Sequence, residues 1–328
     1  MACDFQVLLN AGPDSAEEAW QASDALNCVH QLEDQMTVYR ETSELLEVNR
    51  HAAEHPVTVE ERLFDLLLET KRICDATDCA FDPTTQPLVA LWRACRAESR
   101  LPTDAELQDA LGRTGIQHVE FNSEHRTVRF RQADLELNLN GIGKGYALDR
   151  AAELFCAGEA GPVVSNWLLH GGHSSVLARG SHSGPEHLQG GWPVGICNPL
   201  FPDRRLATLI LRDQALGTSG SGVQFFRVGG RRYGHVLDPR TGWPVDHLLS
   251  VSVVADSAAE ADALSTAFFV MGLEKTIQFC QDQTKVRALL IPPPRRGRTL
   301  EPVVCGIPDG DLFFTPGESG PQVDSTID

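Results

Sequence analysis

The sequence predicts a mixed α/β (α+β) fold, and three observations carry the prediction. Segments with an apolar residue at every second position, such as Leu135, Leu137 and Leu139 between Glu136, Asn138 and Asn140, read as half-buried strands. They alternate with stretches whose apolar residues recur every three to four positions, such as Leu63, Leu66, Leu67, Ile73 and Cys74, which read as one face of a helix. The chain has 328 residues, 42% of them hydrophobic, enough for a sizeable core in one large domain or two closely packed ones.

The elements follow in order. "FQVLLN" opens the chain as a strand, and a helix is expected from about Asp14 to Gln35, with a second over about 58–77. "GIQHVEFNSEHRTVRFRQADLELNLN" reads as three short strands with turns at "NSEH" and "RQAD". The third strand runs into the glycines 141, 143 and 145, after which a helix is expected over 147–157. Strands are expected near 174–179, 192–197, 206–211 and 233–237, interrupted by a Gly-, His- and Ser-rich loop at 180–191. Strand "LLSVSVVA", helices at 258–271 and 273–282, and strand "KVRALLI" complete the pattern. From Pro292 onward Pro and Gly dominate, so residues 1–291 read as the folded domain and 292–328 as an extension with a partly mobile tail.

With 45 acidic and 28 basic residues the net charge is −17, which speaks against a general binder of nucleic acid or anionic membranes. An anionic ligand therefore needs a local positive pocket. Nine scattered cysteines, none spaced Cys-x-x-Cys, suit reduced and mostly buried thiols of a cytoplasmic protein better than a disulfide framework or a zinc site. No signal-peptide pattern and no 18-residue apolar run is seen, so no membrane insertion is expected. A precursor segment, if one precedes this chain, would make an extracytoplasmic location equally natural.

In "ELNLNGIGKGYALDRAAELF" a glycine-rich connection between strand and helix offers backbone N–H groups and the positive end of a helix dipole to an anion, and Lys144 adds a full charge. It is neither a Walker loop, since Asn138 and Gly145 stand where a Gly and a Ser or Thr are needed, nor a dinucleotide fingerprint, since Tyr146 replaces its last glycine. In "DSAAEADALSTAFFVMG" Ser257 and Glu260 form a capping box, and Asp262 and Thr266, one turn apart, make an oxygen pair suited to Mg²⁺ or, alternatively, a first-turn acid and a small filler. In "RRYGHVLDPRTGWPV" Asp238, Pro239 and Gly242 build a corner, and His235, placed within the preceding strand, has a side chain that can exchange a proton near neutrality. "CAFDPTTQPLVALW" offers either a turn in which Asp82 caps the Thr84 region or a ligand contact through Phe81 and Asp82. "LGTSGSG" adds hydroxyls, while histidines 170, 173, 182 and 187 match no common zinc spacing.

Together and in this order, these segments resemble one family, the FAD:protein FMN transferases of ApbE type. "MACDF", "MTVYRETSELLEVN", "CAFDPT", "NLNGIGKGY", "TSG", "HVLDPRTG" and "ADALSTA" are similar to its seven ordered motifs, over residues 1 to about 291. The resemblance implies two interlocked parts with FAD between them. It implies a flavin nucleotide site at Met1, Tyr39, Ala80, Phe81, Asp82, Asn138, Lys144, His235 and Val236, and Mg²⁺ held by the Gly141 carbonyl, Asp262 and Thr266 with Ser265 adjacent. It further implies protein flavinylation: a Thr or Ser hydroxyl of a target protein attacks the FMN-side phosphorus of FAD, AMP leaves, and Lys144, Asp262 and His235 carry the catalysis. Three family acids are replaced, by Asn138, His173 and Ser221. Those losses keep two alternatives open, an FAD-binding protein without transfer activity and a Mg²⁺-dependent FAD pyrophosphatase.

Overall fold

The computed structural model describes residues 3–10, 16–156, 164–182, 190–221, 225–295, 297–318 and 323–324. The chain forms two compact units: residues 1–31, 143–223 and 247–328 make the first, and residues 32–142 and 224–246 the second.

The elements up to the end of the first insertion are β1 (Phe5–Leu9), α1 (Ala16–Met36), α2 (Glu44–His51), β2 (Val57–Thr58), α3 (Glu61–Ala76), α4 (Gln86–Ala97), α5 (Asp104–Gly112), β3 (Val119–Asn122) and β4 (Thr127–Phe130). Then come α6 (Gly143–Cys156), β5 (Trp167–Gly171), β6 (Ser175–Arg179), β7 (Trp192–Asn198), β8 (Phe201–Leu211), β9 (Ala215–Gly220), β10 (Phe225–Val228) and β11 (Arg231–Gly234). The last are β12 (Ser250–Ala255), α7 (Ala258–Met271), α8 (Leu273–Asp282), β13 (Arg287–Ile291), β14 (Val303–Cys305), β15 (Leu312–Phe314) and β16 (Val323–Asp324).

In the first unit an eight-stranded sheet runs β1-β5-β6-β9-β12-β13-β14-β16, antiparallel except for the final pair. Its central strand β12, "SVSVVA", is buried at every position, as expected where both sheet faces are covered. One face packs a core that includes Leu168, Trp192, Leu206, Leu289 and Ile291, shared with the β7-β8-β15 sheet. Helix α7 packs against β9 and β12 and against α6. It is buried on most of its circumference, including Asp262, Phe269 and Val270, with Glu260, Thr266 and Met271 half-buried. The segment read as an extension contributes β14 to the main sheet and β15 to the smaller one, while much of the tail expected to be mobile lies outside the described residues.

The second unit holds the β2-β4-β3 sheet, the β10-β11 hairpin and helices α2 to α5. Leu88, Trp92, Leu107, Ala110, Tyr233 and Leu237 form one core, with the Trp92 indole N–H donating to the Gly242 carbonyl at 2.7 Å. Helix α5 starts on a complete capping box, Thr103 with Glu106. The third strand expected near 135–139 does not form. Leu135, Leu137 and Leu139 are buried as the alternation demands, but the backbone partners are not a neighbouring strand. The Asn49 side chain accepts from Leu137 N–H at 2.8 Å and donates to the Leu137 carbonyl at 2.9 Å, and Asn138 N–H donates to the Pro83 carbonyl at 2.6 Å. One asparagine thus imitates a strand edge. The strand expected over 233–237 ends at Gly234, and most of the "LGTSGSG" segment, read for its hydroxyls, lies in strand β9. No helix among the described residues is long and apolar enough to cross a membrane.

Candidate functional site

The glycine connection is shorter than the sequence suggested, because α6 begins at Gly143 and takes Lys144 and Gly145 into its first turn. A side chain at Gly145 would collide with the Ala258 carbonyl of α7, and one at Gly217 of β9 would collide with the Ala261 carbonyl. Glycine at both positions lets α7 approach α6 and β9 more closely than any Cβ would allow. That approach builds the site. The Asp262 carboxylate, 3% exposed, accepts from the Lys144 ammonium at 3.1 and 3.3 Å, from the Gly145 backbone N–H at 3.2 Å and from the Ser175 hydroxyl at 3.0 Å. One turn further along α7, Ser265 and Thr266 flank the Ser219 hydroxyl at 2.8 and 3.2 Å. Ser265 is fully buried and donates to the Asp262 carbonyl at 2.8 Å, so it is committed within its own helix, whereas Thr266 is half-buried.

The start of α7 is held by a residue that no sequence pattern marked. Asp149, on α6, accepts from the Ser257 hydroxyl and from the backbone N–H groups of Ala258 and Ala259, all at 2.8 Å. It satisfies donors that every helix start leaves open. Burial pushes its carboxyl above the usual aspartate range, against the pull of those three hydrogen bonds. Ser175 and Ser219 are the other contributors that periodicity could not reveal, since each acts through one hydroxyl within an ordinary strand or strand end.

In the second unit Asp82, 6% exposed, accepts from Thr84 N–H at 2.8 Å, from the Thr84 hydroxyl at 2.6 Å and from Ile116 N–H at 3.1 Å. Burial raises its pKa while these donors lower it. The Asp82 cap of the Thr84 region expected from the sequence is therefore present, and Ala80 and Phe81 beside it are buried. Asn138 donates to Gln86 Oε1 at 2.6 Å and accepts from Asn140 N–H at 2.8 Å. Gln86, the first residue of α4, is a further partner the sequence did not single out. Gly141 is half-buried in the turn that follows. Tyr39 is exposed and accepts from Arg93 at 3.1 Å. His235 is exposed and lies just beyond β11 rather than within a strand, and Val236 is half-buried, its carbonyl accepting from Val245 N–H. The corner after it is as expected: Thr241 and Gly242 N–H groups donate to the Asp238 carbonyl, and the Asp238 carboxylate binds Arg240 at 2.8 and 2.9 Å.

Met1 and His187 lie outside the described residues. Of the other histidines in that region, His170 binds Gln6 and the Gly172 carbonyl, His182 packs edge-on to Trp192, and His173 is exposed in the β5-β6 turn. Among the described residues they form no ligand cluster.

The model described as "ApbE family" matches residues 1–290. A Klebsiella pneumoniae protein named FAD:protein FMN transferase is 29% identical over 305 residues, covering 92% of this chain and 89% of its own. One from Escherichia coli K12 with the same name is 32% identical over 246 residues, covering 73% and 68%. Among solved structures, the flavin transferase ApbE from Vibrio cholerae superposes with a TM-score of 0.79 at 27% identity, covering 93% of this chain and 94% of that one.

Proposed function

Because the chain belongs to the ApbE family, we propose that it is a Mg²⁺-dependent FAD:protein FMN transferase that attaches FMN through a phosphoester to a Thr or Ser of a target flavoprotein and releases AMP. The observation that carries this reading is the Lys144–Asp262 pair at the start of α6, 3.1 Å apart with the lysine side chain 21% exposed. A cation on a long stem in the first turn of a helix, at the positive end of its dipole, is suited to an anionic diphosphate.

Phosphoryl transfer depends mainly on positioning and on neutralising charge. Lys144 would move from Asp262 to the diphosphate of FAD, and the carboxylate it leaves is then a hard oxygen donor. Asp262 and Thr266, with the Gly141 carbonyl, would hold Mg²⁺; such all-oxygen sets fit that ion, which when bound neutralises charge on the phosphates. Ser265, Ser175 and Ser219 would keep the two ligand side chains in register. The Asn138 amide, fixed by Gln86 and Asn140, would offer hydrogen bonds to the flavin nucleotide, next to Ala80–Asp82, Tyr39 and Val236. His235 would accept the proton of the attacking hydroxyl, whose oxygen bonds to the FMN-side phosphorus as the bond to AMP breaks.

Incubation with FAD and Mg²⁺, with and without a Thr-containing acceptor protein, tests the proposal. Acceptor-linked FMN and stoichiometric AMP are expected. Free FMN and AMP without acceptor would make the protein a pyrophosphatase, and unchanged FAD bound to it would make it a flavin carrier.

A further inference from the structure

A pair of thiols in the second unit has no place in the flavin chemistry. Helix α3 ends at Ala76 with Thr77 as its cap, which puts Cys74 three residues before the cap and Cys79 two residues after it. The chain closes the helix with a Schellman turn. Asp78 has a left-handed φ of 52°, and Cys79 N–H donates back to the Cys74 carbonyl at 2.8 Å. In such a turn these two positions bring their side chains into contact, and the contact is usually apolar. Here both are cysteines, with sulfurs 2.7 Å apart.

Two features set the pair apart from incidental neighbours. Cys79 is itself left-handed, with φ 50°, a conformation that disfavours any residue with a Cβ. Only glycine adopts that conformation without such a penalty, and the chain has a cysteine there. Second, the third ligand-type group within reach, Asp82, already has its carboxylate engaged by Thr84 and Ile116, so the two sulfurs are each other's nearest partners.

We propose that Cys74 and Cys79 form an intrachain disulfide on exposure to small-molecule disulfides, locking the end of α3 to the segment that begins at Ala80. Cys79, the more exposed of the two, reacts first as its thiolate: it bonds to one sulfur of the external disulfide and releases one thiol. Cys74 then bonds to the Cys79 sulfur and displaces the second. The protein dithiol is oxidised by two electrons, the external disulfide is reduced by two, and the two cysteine protons end on the two released thiols. Burial pushes both thiols above their ordinary range, and the Asp82 charge adds to this, so the reduced pair is protonated and reacts slowly near neutrality. The inference does not rest on the flavin reading, since neither step involves FAD.

The test equilibrates the full chain with oxidised glutathione, alkylates the remaining thiols and digests with trypsin without reduction. Residues 73–93, between Arg72 and Arg93, contain both cysteines and no other. This peptide is expected to emerge unalkylated and lighter by two hydrogens, in more than about tenfold excess over the doubly alkylated form. Dithiothreitol should restore two alkylation sites. Cys79→Ser should abolish the linked species and leave one alkylatable thiol. The proposal falls if residues 73–93 carry two alkyl groups or two glutathiones at equilibrium. It falls equally if oxidation links Cys280 to Cys305, another pair of thiols in hydrogen-bond contact, and spares this peptide.

Discussion

The first unit and the second each bury one aspartate in a net of three partners, and the partners differ in kind. Asp82 is held by a hydroxyl and two backbone N–H groups, all of them neutral and fixed by the fold. Asp262 is held by a hydroxyl, one backbone N–H and the ammonium of Lys144, whose four-carbon stem can carry the charge elsewhere. A carboxylate satisfied by immobile donors is a structural part. One satisfied by a removable cation can be offered to another cation, and the difference separates a turn anchor from a candidate metal ligand although both are almost fully buried.

Removing each carboxylate should break the molecule in a different way. Asp82→Ala leaves three buried donors without partners and should cost about 3 kcal/mol in urea unfolding, since each orphaned group costs roughly 1–3 kcal/mol. Full stability in that variant together with lost FAD binding would reverse the assignment. Asp262→Asn should lower acceptor flavinylation at limiting Mg²⁺ by more than about 100-fold, near 2.7 kcal/mol, with a smaller change in unfolding because Lys144 can turn to solvent. Thr266→Val should lower it less. Parent-like activity for Asp262→Asn would remove the metal from α7.

The comparison has a pH signature as well. Burial raises the Asp82 carboxyl above its ordinary value, so the folded chain keeps that proton to higher pH than the unfolded chain. Above the unfolded value, about 3.9, the unfolded state then binds fewer protons, and stability falls as pH rises through the folded value. The parent should therefore lose more stability between about pH 4 and neutrality than Asp82→Asn does, with Asp149 contributing in the same direction to both. Equal slopes in urea titrations across that range would deny Asp82 its burial penalty.

The smallest effect is expected at Asn138. Its amide donates to Gln86 and accepts from Asn140 N–H. An aspartate there keeps the acceptor, and the Gln86 amide can flip to donate instead. Asn138→Asp should change transfer by a few-fold at most, under about 1 kcal/mol. A gain above tenfold would mean that charge, not orientation, is what the site lacks, and would favour a flavin carrier for the natural sequence.

How far the sequence could be read depended on the range of the forces involved. Period and caps are local, so β1, α3, α7, α8 and β13 were legible to within a few residues, and Asp82 could be read as the cap of Thr84. Lys144 and Asp262 were each marked by a motif, but only the fold could pair residues 118 positions apart. The failures share one cause. Asn49 replaces a neighbouring strand at Leu137, and Asp149 joins Ser257 in holding the start of α7. In each case a partner far along the chain supplied what local pattern assigned to a sheet or to a cap alone. Gly145 is instructive because local pattern gave it one role, in a turn that offers N–H groups to an anion, and the fold adds a second: the Ala258 carbonyl leaves no room for a Cβ there.

The topology of the main sheet also sets a timetable. Strand β1 leaves the ribosome before the rest of its sheet, yet its neighbour in that sheet among the described residues, β5, is encoded about 160 residues later. At about 5–20 residues per second, the nascent chain carries that strand unpaired for roughly 8–30 s. Nearly all of the second unit is translated in the interval, lacking only its 224–246 return segment. Phe5, Val7 and Leu9 are thus held in waiting with an open edge, the arrangement most exposed to pairing with the wrong chain. Slow translation or scarce chaperone should therefore be felt first at this strand, in the yield of folded protein rather than in its stability once made.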